Sequence, residues 1–167
     1  LEARQGDRVG LVLFGTNAYV QAPLTFDLKS VRKLLIEAPV GIAGGKTAIG
    51  DAIGLTVKRL REREYEEKIV ILLTDGANNV GEVPPAKAAE LASVDGIKIY
   101  TIGVGAEEMR VPSLFGSLAG RTTNPSADLD EETLETIAKA TKGRYFRAKD
   151  TSTLIEIYEI IDKLEPI

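Results

Sequence analysis

The chain predicts an α/β domain with a doubly wound, mostly parallel sheet that carries helices on both faces. Three observations lead there. From residue 40 onward, apolar runs of strand length alternate with amphipathic helical stripes. Ile69 to Leu73 ("IVILL") has polar neighbours only at its ends, as a strand covered on both faces does. The front of the chain holds two strand-length runs, Val9 to Phe14 and Ala18 to Leu24, separated only by Gly15-Thr-Asn, which predicts an antiparallel hairpin at one side of the sheet.

The elements follow in order. "LEARQGDR" reads as the charged tail of a helix entering a turn at Gly6-Asp7, so the 167 residues are expected to form a single domain truncated at its N-terminus. After the hairpin, Asp27 is placed to cap a helix whose apolar positions are Leu28, Val31, Leu34 and Leu35, with Pro39 ending it. A glycine loop, "GIAGGKT", then leads into a helix over 48–63 with the stripe Ile49, Ala52, Ile53, Val57 and Leu60. Pro84-Pro85 open a further helix, because proline fits a first turn. Ile97 to Val104 is the next strand, and 105–127 a long loop rich in Gly, Ser, Pro and Thr. Asp128 with Glu131 predicts a capping box for a helix ending near Lys142-Gly143. Arg144 to Ala148 is a short strand, with Tyr145 and Phe146 expected in the core, and Asp150 reads as an N-cap. Leu154, Ile157, Tyr158, Ile161 and Leu164 define the last amphipathic helix.

Composition narrows the chemistry. A net charge of -4 with no dominant Lys/Arg cluster argues against a nucleic-acid surface, and the run "KRLREREYEE" alternates in sign like a solvated helix end. With no His and no Cys, thiol nucleophiles, imidazole bases and His/Cys zinc sites are excluded. No apolar run approaches the roughly 18 residues of a membrane span.

The glycine loop poses a choice. A phosphate-binding loop needs four residues between its glycine and Gly-Lys-Thr, and follows a strand; here three residues separate Gly41 from Gly45, and a helix precedes them. The plain structural alternative is a loop whose Thr47 caps the next helix. Asp75 in "ILLTDGANN" stands at the carboxyl end of the buried strand, where in such sheets ligands bind, and its own plain alternative is a turn former. Taken together, Thr47 and Asp75 supply a hydroxyl and a carboxylate to one sheet edge, a donor set suited to a hard cation such as Mg²⁺, Mn²⁺ or Ca²⁺. Gly44, Gly45 and Asn78 are placed to flank an approaching ligand, although Asn78 and Asn79 also read as turn residues, and Asp51 as a solvated, packing or supporting acceptor.

"GGKTAIGDAI" and "ILLTDGANN" make the chain resemble the von Willebrand factor type A (VWA) domain over essentially its whole length. "GDRVGLVLFGTNAYVQAPLTFD", "DLDEETLETIAKATKGRYFRA" and "IYEIIDKLEP" make it most similar to the Bat, aerotolerance-type bacterial membrane-anchored VWA proteins. The resemblance implies a metal-ion-dependent adhesion site (MIDAS) in which Thr47 and Asp75 are ligands. Its Asp-x-Ser-x-Ser element occurs nowhere here; the nearest string, Asp150-Thr-Ser152-Thr, lacks the last Ser. In the family that element follows a central strand, so the resemblance implies that this first central strand and its helix are missing. A slot is then expected between the strands at Val9 and Ile69, with weak metal binding and with filling of the slot by strand shift or by exchange with another copy.

The implied role is a divalent-metal-dependent protein-binding module, not an enzyme, that assembles a complex by accepting a partner's carboxylate at the cation. The resemblance further implies membrane anchoring outside this stretch, an extracytoplasmic setting and a MoxR-type ATPase system. The alternatives are an assembly domain with a vestigial metal site and a metal-dependent phosphoryl-transfer enzyme using Asp75. No nucleic-acid partner is expected.

Overall fold

The computed structural model describes residues 4–39, 41–62, 64, 67–105, 109–110, 122–123 and 129–166. β1 (Val9–Phe14) and β2 (Ala18–Thr25) form the expected antiparallel hairpin, closed by the Gly15 N–H donating to the Asn17 carbonyl at 2.9 Å. Helix α1 (Leu28–Ile36) packs on the hairpin and starts where predicted, with the Asp27 carboxylate accepting from the Ser30 N–H at 3.1 Å. Helix α2 (Ile49–Arg61) buries every residue of its predicted stripe.

Strand β3 (Lys68–Thr74) pairs in parallel with β4 (Ile97–Val104), and β4 in parallel with β7 (Tyr145–Ala148), giving the order β3-β4-β7. Between β3 and β4 lies α3 (Pro85–Val94), opened by proline as expected. Two short segments, β5 (Met109–Arg110) and β6 (Thr122–Thr123), pair antiparallel. Most of the long 105–127 loop otherwise lies outside the described residues, as does Val40. Helices α4 (Glu131–Ala140) and α5 (Thr151–Leu164) flank β7 in sequence.

Strand β4 shows how the layers arise. Its side chains alternate: Ile97 and Ile99 join Leu72, the apolar stripe of α2, the three buried alanines of α3, and Leu134 and Ile137 of α4. Tyr100 and Ile102 turn the other way, toward Ala148 and the Ile157 and Ile161 of α5. A parallel strand buried on both faces needs apolar residues on each, and Ile97 and Ile99 supply one face, Tyr100 and Ile102 the other. Truncating Ile102, which is fully buried, to alanine is expected to lower stability by about 3 kcal/mol, read as a shifted urea midpoint at unchanged slope.

Several expectations are corrected. β3 is not covered on both faces along its length: Ile69 packs against the cluster that includes Ile157 and Ile161 of α5, but Ile71 and Leu73 on the same face are 38% and 40% exposed. The stripes of α1 and α5 are likewise only partly used, since Leu35, Tyr158 and Leu164 remain exposed. Asp128 lies outside the described residues, and the cap of α4 is Asp130, whose carboxylate accepts from the Thr133 N–H and hydroxyl. At the end of α4 the left-handed residue is Lys142, at φ 59°, rather than Gly143. Gly143 is needed for space instead: a Cβ there would lie 1.8 Å from the Ile99 carbonyl oxygen.

Among the described residues β1 pairs only with β2, and β3 only with β4, so the hairpin and the parallel sheet are separate ladders. Side-chain packing helps to join them, since Phe14 and Leu24 of the hairpin sit against the same core as α2 and Leu72.

Candidate metal half-site at the sheet edge

The carboxyl end of β3 and the amino end of α2 meet at one edge of the sheet. The strand runs out at Thr74, whose hydroxyl makes the turn, accepting from the Gly76 N–H at 3.3 Å. Asp75 lies in this bend, but among the described residues its side chain makes no bond within it. Across from it, α2 begins at Ala48, which has no side-chain cap, so Thr47 is not the helix cap either. The helix end is served from the β3–α3 loop: the Asn78 Oδ1 accepts from the Gly50 N–H at 3.3 Å and the Asn79 Oδ1 from the Thr47 N–H at 2.9 Å. The Asn79 N–H returns a bond to the Thr47 carbonyl at 3.0 Å.

Thr47 and the Asp75-Gly76 corner are in contact. A Cβ on Gly76 would lie 3.0 Å from the Thr47 Oγ1, so the hydroxyl rests directly over the glycine that follows Asp75. Among the described residues neither the Thr47 hydroxyl nor the Asp75 carboxylate has a hydrogen-bond or ion-pair partner; Thr47 is half-buried and Asp75 exposed. A hydroxyl and a carboxylate are hard oxygen donors, which fit Mg²⁺, Mn²⁺ or Ca²⁺. They are few: the described residues contain no group of three or more Asp or Glu side chains placed to hold a metal.

The glycine loop is shaped by the hairpin. Ala43 accepts from the Asn17 N–H at 3.1 Å, Gly15 from the Ala48 N–H at 2.8 Å, and a Cβ on Gly15 would fall 2.6 Å from the Gly44 carbonyl oxygen. Gly44, at φ +91°, lies against Thr16, where a Cβ would be 2.3 Å from the Thr16 hydroxyl. Gly45 faces open space. Asn78 sits at the helix end, with Gly45 the more open of the positions expected to flank a ligand.

Sequence reasoning underrated Asp51. In the first turn of α2, its Oδ1 accepts from the Val83 N–H at 2.8 Å and the Glu82 N–H at 3.0 Å, fastening the far end of the loop that carries Asp75. The signal available was its place four residues after Thr47 in "TAIGD", but its partners lie 31 and 32 residues away.

Known proteins place this chain in a family. A crystal structure of an uncharacterized membrane spanning protein from Vibrio fischeri is 48% identical, with 99% of this chain and 79% of that one covered and a TM-score of 0.56. The conserved hypothetical protein BatB from Bacteroides thetaiotaomicron is 29% identical, covering 98% of this chain and 82% of that one, with a TM-score of 0.74. Proximal thread matrix protein 1 from the mussel byssus, solved with a zinc-occupied MIDAS motif, is 26% identical over 94% of this chain and 34% of that one, with a TM-score of 0.71. The chain spans 32% and 47% of the length of the two curated relatives it matches. The model of the von Willebrand factor type A domain matches residues 2–160, and the chain belongs to that family.

Proposed function

We propose that this VWA domain is a divalent-cation-dependent protein-binding module in which Thr47 and Asp75 are cation ligands and a carboxylate of the partner protein completes the coordination. The observation that carries the reading is that both side chains lie at the ligand-binding edge of the sheet with no local structural work: another residue makes the turn, and other residues serve the helix end. That a mussel protein of similar fold was solved with a zinc-occupied MIDAS motif supports a cation site in this fold by likeness. One carboxylate and one hydroxyl leave most positions to water or partner, so affinity in this chain is expected in roughly the millimolar range, with Mg²⁺ or Mn²⁺ preferred to softer ions.

The reading is of binding rather than catalysis, since the chain has no His or Cys and, among the described residues, no group of three or more acidic side chains gathers with Asp75. Anchoring to a membrane rests on likeness to membrane proteins, and an outer-side setting on the family resemblance alone; no helix of the described residues is long and apolar enough to cross one. A MoxR-type ATPase as partner system rests on the resemblance alone.

The test is calorimetric titration with Mn²⁺. Weak saturable binding is expected in the natural chain, lost in Asp75→Ala and reduced in Thr47→Val. Equal titrations of all three proteins would remove the metal from these residues and leave an assembly domain without it.

A second reading concerns the slot. Among the described residues β1 and β3 each have a ladder partner on one edge only, and the unpaired edges favour strand exchange with another copy of the chain. Light scattering over a concentration series decides it: a concentration-dependent dimer supports exchange, and a monomer throughout refutes it.

A further inference from the structure

Resting on the proposed cation site, we infer that Asp51 is a positioning residue for that site: it holds the loop after Asp75 against the first turn of α2 and so sets the distance between Asp75 and Thr47. The loop is fastened to the helix at three successive points. Asn79 exchanges two bonds with the Thr47 backbone, Asn78 accepts from Gly50, and Asp51 accepts from Glu82 and Val83. The first two are neutral; the last is a carboxylate receiving two backbone N–H groups, the stronger kind of bond.

The surroundings are built around that carboxylate. Gly81 has φ +115°, and a Cβ there would lie 2.8 Å from the Asp51 Oδ2, so the backbone wraps the carboxylate at a distance that only glycine permits. Gly50 performs the same service one residue earlier, where a Cβ would lie 1.8 Å from the Val83 carbonyl oxygen. Asp51 thus closes a ring that runs from Thr47 through the first turn of α2 to Val83, back along the loop to Gly76, and across the Thr47 hydroxyl contact. With its oxygens taken by backbone, Asp51 acts on the cation through geometry and not as a ligand.

The experiment compares the natural chain with Asp51→Asn and Asp51→Ala, and with the distant core truncation Ile161→Val as a control for general destabilisation. Two readouts are taken well below unfolding: Mn²⁺ affinity, and amide hydrogen exchange at Gly76, Asn79, Glu82 and Val83. Oδ1 accepts from both N–H groups and Oδ2 only shares the Glu82 N–H at 3.2 Å, so asparagine with its oxygen in the Oδ1 place keeps the two shorter bonds and is expected to retain affinity within a few-fold. Alanine is expected to weaken Mn²⁺ about tenfold, as loss of a supporting residue does, and to raise exchange along the whole loop. The Ile161→Val chain should bind as the natural one does. Natural-strength binding in Asp51→Ala overturns the positioning role, and equal loss in both Asp51 variants replaces it with a direct effect of charge. Silence of the natural chain toward Mn²⁺ overturns the cation site itself and with it this role, whatever the exchange pattern shows.

Discussion

Alanine at Gly50 is expected to cost about 3 kcal/mol, although alanine gains about 1 kcal/mol over glycine in helix propensity. The added methyl would lie 1.8 Å from the Val83 carbonyl oxygen and 2.8 Å from its carbon, both backbone atoms with no rotamer to change. Relief requires the 78–83 segment and the helix to separate, and that breaks the bonds from Glu82 and Val83 to Asp51. In a chain of this size the loss corresponds to roughly 9 °C in melting temperature. Gly54 is the internal control, one turn along the same helix. Its Cβ would meet only the Val83 Cγ2, at 3.9 Å. Gly54→Ala is therefore expected to leave stability unchanged or to raise it slightly, and equal destabilisation by the two changes would show that helix packing, not this one contact, is at issue.

The second large effect is expected at the opposite end of the sheet. Glu165, 5% exposed, accepts from the Tyr100 hydroxyl and pairs with Lys98, while Arg4 donates to the Glu165 carbonyl at 2.7 Å and pairs with Asp162 at 2.8 Å. Burial pushes the Glu165 carboxyl up, but the bonds from Lys98 and Tyr100 and the charges of Lys98 and Arg4 outweigh it, leaving it below the ordinary value of 4.5. Tyr100 is pushed from 10.0 to about 12, by burial first and then by its bond to Glu165 and the carboxylate's charge.

These shifts set the sign of the pH dependence. A carboxyl held low in the folded state stabilises fully above its unfolded value and loses that contribution as pH falls through the folded one. A phenol held high stabilises below 10.0 and loses its contribution as pH rises toward about 12. The cluster thus contributes fully between about 4.5 and 10. Glu165→Gln is expected to remove about 2 kcal/mol at neutral pH, the scale of a charge-assisted bond, and to flatten the acid limb of the stability curve. Parallel acid limbs for variant and natural chain would place the titration elsewhere.

Much of this architecture was legible because its causes are local. The run Ile97 to Val104 is the strand it reads as, Asp27 caps the helix beside it, and the stripe of α2 is buried residue for residue. Asp128, Asp130 and Glu131 show the limit even of local signals: several acids crowd one helix start, and the one whose carboxylate meets Thr133 wins. "IVILL" carries no sign of which face is left partly open, because an uninterrupted apolar run reads alike whether one side or both are covered. At the site, Thr47 and Asp75 were legible by position, whereas Asn78, Asn79 and Asp51 acquire their roles only from backbone groups about thirty residues distant. Glu165 is the extreme case, a charged residue in a helix-end sequence that is buried by partners 65 and 67 residues away.

The gap between the two ladders bears on how the molecule responds to a ligand. Thr47 belongs to the glycine loop that is bonded to the hairpin, and Asp75 to the strand at the edge of the parallel sheet. A cation shared by the two would tie together halves that have no ladder in common, joining the Asn78, Asn79 and Asp51 bonds already spanning that seam. Occupancy and cooperativity then become a single thermodynamic quantity: whatever loosens the seam weakens the ion, and the ion, once held, makes hairpin and sheet unfold as one.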